Sequence, residues 1–138
     1  MMNQEFSFIV IDDSELDCFV IQKVIEHTDN SLSIQTYQNA QEALEVIRNS
    51  GKINTQPAII LLDLQMPDMN GFEFVEEFEK FPPEIKNNYK IIILSIISSE
   101  RDHIDLRRKF TSDKVNSVIE KPLTTEKLYS VLSRLRSA

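Results

Sequence analysis

The chain has 138 residues, 41 % of them apolar and 27 % charged, the length and balance of one globular domain, which excludes a disordered or collagen-like chain. A domain of this size buries about 68 % of its unfolded surface and needs no disulfide or metal staple, and the one cysteine, Cys18, allows no internal disulfide, as suits a reducing compartment. The formal charge of −7 argues against nucleic-acid binding, because phosphate contacts need a basic surface. No apolar run approaches the ~20 residues of a membrane helix, and the first five residues lack the basic start and apolar core of a secretion signal. The expectation is a soluble, cytoplasmic protein with neither membrane nor nucleic acid as partner.

In chain order, the first element is the apolar run Phe8-Ile9-Val10-Ile11, short, continuous and partly β-branched, which predicts a strand buried on both faces. After Asp13-Ser14, the spacing of Leu16, Phe19, Val20 and Val24 predicts a helix with that stripe facing the core. Leu32 to Thr36 alternates apolar and polar residues, the pattern of a half-exposed edge strand. Ala40, Ala43, Leu44 and Ile47 predict the next helix, with Gly51 where a C-cap would stand. The run Ala58 to Leu62 predicts a second buried strand, and Phe74, Val75 and Phe78 after Gly71 a third helix. Phe81 to Tyr89, with two prolines, reads as a loop. Ile91 to Leu94 predicts another buried strand, and Glu100 to Phe110 a weak helix whose apolar residues are Ile104, Leu106 and Phe110. Val115, Val118 and Ile119 predict the last strand, followed by a helix on Leu128, Val131, Leu132 and Leu135 with Thr124 or Thr125 as N-cap. Alternating strands and helices at this spacing predict one α/β domain over residues 1–138, an open parallel sheet with helices on both faces.

In such a sheet, ligands bind outside the carboxyl ends of the strands. The first run ends in Asp12-Asp13, the third in Asp63, the fourth in Ser95 and the fifth in Glu120-Lys121-Pro122. Three carboxylates at one edge repel one another, and a divalent cation relieves that repulsion. An oxygen-only ligand set favours Mg²⁺, which binds through one or two carboxylates plus phosphate. Lys121 adds a second positive charge, and such a site suits a phosphoryl group, with a carboxylate able to serve as nucleophile. Asp63 heads the loop Leu64-Gln65-Met66-Pro67-Asp68-Met69-Asn70-Gly71, whose Pro and Asn-Gly mark an irregular turn.

With these residues, the chain resembles the receiver domain of bacterial two-component response regulators, over essentially its whole length. The resemblance implies a flavodoxin-like (βα)5 fold, a five-stranded parallel sheet of order 2-1-3-4-5. It implies phosphorelay signal transduction, with Asp63 phosphorylated by a histidine kinase or a histidine phosphotransfer protein. It further implies Asp13 and Asp63 as direct Mg²⁺ ligands, Asp12 acting mainly through water, and the Gln65 backbone carbonyl as a further ligand. Lys121 would pair with the phosphoryl group, Ser95 would swing towards it, and the Lys121-Pro122 peptide would be cis. No output domain is expected within the chain, so signalling would run by protein contact in trans with an unidentified downstream protein, as a monomer or weak homodimer. Apart from its own aspartyl phosphorylation and dephosphorylation, no enzymatic role is expected.

Two positions depart from the family. Receivers commonly carry Tyr or Phe where Val118 stands, and Ala or Gly where Ile96 stands. The aromatic gate is therefore absent, and Ile96 and Ile97 are expected to narrow access to the acceptor. These two departures favour the alternative reading, a receiver-fold binding module that works without phosphorylation. The retained carboxylates and lysine oppose it, because a scaffold needs no like-charge cluster. A Mg²⁺-dependent phosphatase with an Asp nucleophile ranks last, since the second acid it wants falls at position 65, a Gln. The remaining polar residues have plainer readings. Asp13-Ser14 can also cap the first helix, Cys18 is a small helix residue, and His27 and His103 lack metal-ligand partners at helical spacing.

The charge is unevenly placed. Residues 1–100 hold 6 Lys/Arg and 17 Asp/Glu, net −11, whereas residues 101–138 hold 9 and 5, net +4. Arg107-Arg108-Lys109 is the densest basic run, read either as a solvated helix face or as a surface for an acidic partner. Reversing these three charges is expected to abolish binding of the downstream protein in a pull-down with the phosphorylated chain; retained binding would place the docking face elsewhere.

Overall fold

The computed structural model describes residues 6–28, 33–50, 57–96 and 99–137. Five strands, β1 (Ser7–Ile11), β2 (Ile34–Tyr37), β3 (Ala58–Asp63), β4 (Tyr89–Ser95) and β5 (Val115–Glu120), form one parallel sheet in the order β2-β1-β3-β4-β5. Between them run α1 (Glu15–Thr28), α2 (Ala40–Ser50), α3 (Gly71–Phe78), the single turn α4 (Pro83–Lys86) and α5 (Glu100–Lys109), and α6 (Thr125–Ser137) follows β5. The expected sheet order is the observed one. β3 is buried at every position, which is why its sequence shows no alternation.

The two faces of the sheet make two cores. Phe8, Val10, Ile59, Leu61, Ile92, Leu94 and Ile119 pack with Cys18, Ile21 and Ile25 of α1 and Leu128, Val131 and Leu132 of α6. Ile9, Ile11, Ile60, Leu62, Ile91 and Ile93 pack with Ala43 and Ile47 of α2 and Phe74 and Phe78 of α3, with Leu106 and Phe110 resting on the same side. The pairing of β5 with β4 shifts by one residue, so that Ile91 faces Val115 but Ile92 faces Ser117. This bulge leaves Asn116 as the extra residue and flips the parity of everything after it. Val118 therefore joins Val115 in the α2–α3 core instead of facing away from it.

Three expectations need correction. In α1 the buried stripe is Cys18, Ile21 and Ile25, while Leu16 is 69 % exposed and Phe19 and Val20 are exposed with it. The helix carries two apolar rows, and the β-branched row at i, i+4 won the sheet. The segment Phe81 to Tyr89 is not all loop. Pro83 opens the turn of α4, where its missing N–H costs nothing, and Ile85 pins that turn into the core; Tyr89 already begins β4 and is buried. The second strand runs Ile34–Tyr37, one residue further than expected, and its anticipated first residue, Leu32, lies outside the described residues, as do Gly51 and Ile97.

The helix starts follow the capping rules. Ser14 Oγ accepts from Asp17 N–H (3.1 Å) and Thr124 Oγ1 from Lys127 N–H (3.2 Å), so Ser14 and Thr124 are the caps. Asn70 and Glu73 form a reciprocal capping box at α3. The basic run at the end of α5 is exposed and suits the negative end of the helix dipole; Arg107 also donates to the Val115 carbonyl (3.3 Å).

Gly71 closes the loop after β3, its N–H donating to the Leu64 carbonyl at 2.9 Å. A Cβ at Gly71 would lie 2.9 Å from Leu64 Cδ1 and 3.1 Å from its Cα; the methyl can swing aside but the backbone cannot. Gly71→Ala is expected to destabilise the fold by about 1–3 kcal/mol, the range of overpacking, measured by urea denaturation; unchanged stability would show that the loop yields freely.

Candidate functional site

The register of the sheet assembles the site. Ile11 pairs with Leu62 across β1 and β3, so the next residues, Asp12 and Asp63, emerge side by side at the carboxyl edge. Ser95 pairs with Glu120 across β4 and β5, which brings Lys121 to the same edge. Candidate ligand oxygens of Asp12, Asp13 and Asp63 all lie within 4.8 Å of one another. Asp12 is 1 % and Asp63 5 % exposed, and Asp13 is exposed. The buried pair is held by the Lys121 ammonium, 3.2 Å from Asp12 Oδ2 and 3.2 Å from Asp63 Oδ1.

Burial pushes the Asp12 carboxyl above its ordinary range; the Ser14 N–H on Oδ1 (3.0 Å) and Lys121 oppose that shift, and the neighbouring Asp63 charge adds to it. Burial pulls the Lys121 ammonium down, but the charges of Asp12 and Asp63 outweigh it and leave its pKa raised. The lysine therefore stays protonated at neutral pH. Asp63 Oδ1 also accepts from the Gln65 N–H at 3.2 Å, which turns the loop back over the carboxylate while the Gln65 side chain stays exposed.

Ser95 is buried beside this group. Its hydroxyl donates to the Ile96 carbonyl at 3.4 Å, and its own carbonyl accepts from Lys121 N–H at 2.8 Å. The Lys121-Pro122 peptide is cis. Ile96 is 72 % exposed. It lines a groove of about 300 Å³ together with Asp17, Val20, Ile21, Lys121 and Pro122, at the approach to the lysine. A larger groove of about 590 Å³ between α3 and the segment after α5 is lined by Phe72, Phe110 and Ser112 and holds none of the strand-end residues.

Sequence reasoning missed Asp17, whose Oδ2 lies 3.6 Å from Lys121 Nζ as a third carboxylate on the same ammonium. Its signal was its place five residues beyond Asp12, in the first turn of a helix that starts at the strand end. Cys18 is buried and donates its thiol hydrogen to the Asp12 carbonyl (3.3 Å); His27 is exposed.

The site fits a hard divalent cation, because every ligand atom in the cluster is a carboxylate oxygen and the charge left after Lys121 is still negative. Chemically, the arrangement offers carboxylates, a fixed ammonium and a hydroxyl at one edge of the sheet.

The comparisons with known proteins bear on the fold that carries these residues. The sequence profile of the response regulator receiver domain matches residues 8–133. The chain is 32 % identical over 130 residues to the sensor histidine kinase CheAY of Helicobacter pylori, covering 94 % of this chain but 15 % of that protein. A response regulator receiver protein from Dyadobacter fermentans is 29 % identical, with a TM-score of 0.78 over 94 % of this chain and 96 % of that one. A two-component response regulator from Cytophaga hutchinsonii is 25 % identical, with a TM-score of 0.82 over 98 % and 99 %. Among the described residues, no helix is long and apolar enough to cross a membrane.

Lys121 competes with any cation for the same carboxylates. Lys121→Met is therefore expected to tighten Mg²⁺ binding by isothermal titration calorimetry, and weaker binding would refute the competition. Without Mg²⁺ the variant is expected to lose about 3–5 kcal/mol, as when one partner of a buried pair is removed. Asp12 has a raised pKa in the folded state, so its charge opposes folding above that pKa and the cost fades as pH falls towards the unfolded value near 3.8. The stability gap between variant and parent should narrow over that acidic range.

Proposed function

This chain belongs to the response regulator receiver family, which serves two-component phosphorelay signalling, and from that premise we propose that Asp63 is its phosphoacceptor. The observation that carries the reading is the Lys121 ammonium fixed at 3.2 Å from both Asp12 and Asp63 at the carboxyl edge of the sheet. In the forward step an Asp63 carboxylate oxygen attacks the phosphorus of a phosphohistidine. The new O–P bond forms as the N–P bond breaks, and the imidazole leaves with the bonding pair and takes up a proton. In a separate dephosphorylation step water attacks phosphorus as the O–P bond to Asp63 breaks, releasing inorganic phosphate and restoring the carboxylate.

The chain's own residues supply most of what this needs. Lys121 would neutralise one phosphoryl oxygen, Ser95 would donate a hydrogen bond to another, and the Gln65 N–H already orients Asp63. Asp13 and Asp63 would hold Mg²⁺ directly, with the Gln65 carbonyl, and Asp12 through water. The ion would contribute charge neutralisation between the carboxylates and the phosphoryl oxygens. The self-catalysed phosphorylation makes the protein a switch, not a metabolic enzyme.

The donor would be a histidine kinase or a histidine phosphotransfer protein. Exposed Val20 on α1, with Ile96 and Pro122 across the groove, offers apolar surface beside Lys121, and Leu16 and Phe19 are exposed on the same helix. Signalling would then pass to a downstream protein in trans, with the phosphate's added charge shifting a two-state surface. The setting is the cytoplasm, in keeping with a single reduced thiol. The alternative, a binding module that does not use phosphorylation, draws support from Val118, which fills the core where the family commonly has an aromatic gate.

Incubation with Mg²⁺ and acetyl phosphate, read by intact-mass spectrometry, separates the two. The parent is expected to gain one phosphoryl mass unit and Asp63→Ala none; a parent that forms no adduct would leave the binding module as the better reading.

A further inference from the structure

The main chain around Lys121 is gripped from two sides. On one side its N–H donates to the Ser95 carbonyl at the end of β4 (2.8 Å). On the other, the Lys127 ammonium donates to the carbonyls of Glu120 (3.0 Å) and Pro122 (3.1 Å), the two residues that flank Lys121. Lys127 sits in the first turn of α6, its own N–H held by the capping Thr124 hydroxyl (3.2 Å), and the next residue, Leu128, is buried in the core. A cation in the first turn faces the positive end of the helix dipole and is disfavoured there. Two main-chain carbonyls offset that cost here, and they are the pair that brackets the lysine of the site.

We propose that Lys127 is a positioning residue for Lys121. By holding both flanking carbonyls, it fixes the turn between β5 and α6 so that the Lys121 ammonium lies between Asp12 and Asp63. A long, flexible side chain reaches a fixed point only if its Cα is fixed. The clamp also gives α6 a mechanical link to the site: a pull on Lys121 is passed through the turn to the first turn of the helix. Groups that orient a directly acting residue typically matter by tenfold or more. The consequence for phosphorylation rests on the assignment of Asp63 as acceptor; the placement of Lys121 does not.

The test compares Lys127→Met, Lys127→Arg and the parent, each also in a Lys121→Ala background. In the unphosphorylated proteins, the Lys121 Cε–Hε resonance is expected to shift in Lys127→Met and to return towards the parent position in Lys127→Arg. With Mg²⁺ and acetyl phosphate, Lys127→Met is expected to phosphorylate about tenfold more slowly, with Lys127→Arg recovering most of the rate. In the Lys121→Ala background the Lys127→Met change should have no further effect. An unmoved Lys121 resonance in Lys127→Met would overturn the proposal, as would an equal loss of rate with and without Lys121. Labelling of Asp63→Ala like the parent would instead sink the acceptor assignment, leaving the resonance shift to judge Lys127.

Discussion

Two carboxylates buried at the ends of adjacent central strands are the constraint on which the rest of this structure depends. Asp12 and Asp63 follow paired residues of β1 and β3, so no local rearrangement separates them while the sheet remains paired. Both are almost wholly removed from water, and like charges so placed drive at least one towards its neutral form. One ammonium, supplied by a different pair of elements, answers both. The outer strand β5 is thus tied to the centre of the sheet by charge as well as by its ladder with β4. The site is also where stability and function oppose each other: residues chosen only for stability would not be carboxylates.

That arrangement was legible in the sequence because it needs only local information. Continuous β-branched runs mark β1, β3 and β4, and the residue that ends each run is fixed by the run itself. Asp12, Asp63, Ser95 and Lys121 could therefore be placed at one edge without any knowledge of packing. What escaped was set by choices between near-equal local patterns. In α1 two apolar rows compete, and only the sheet decides that Ile21 and Ile25 go inward while Leu16 and Phe19 stay out. The inward side of Val118 depends on a one-residue bulge near Asn116, which leaves no mark in composition. Asp17 escaped because it acts through Lys121, far away in sequence, and Lys127 because it grips two main-chain carbonyls, which no side-chain pattern announces.

The miss in α1 bears on function more than a simple misassignment would. Large apolar side chains left in solvent are surface that a partner can cover, and Val20 of this row lines the groove at Lys121. The same helix contributes Asp17 to the lysine and Cys18 to the backbone of Asp12. One helix therefore carries both outward surface and inward contacts to the site, so a partner resting on its outer row would press on the residues that hold the charges in place.

Cys18 gives the site a further property. Its thiol is buried against Asp12, and burial, reinforced by the Asp12 charge, pushes its pKa up to about 11. Only the thiolate reacts with peroxide or disulfides, and at neutral pH it amounts to roughly one molecule in ten thousand at that pKa. Sulfur chemistry that would force a bulky oxide into the packing under β1, and so disturb the carboxylate above it, is suppressed chiefly by the burial of the thiol, with the Asp12 charge adding to it. An unreactive sulfur atom thus lies within one hydrogen bond of the Asp12 main chain.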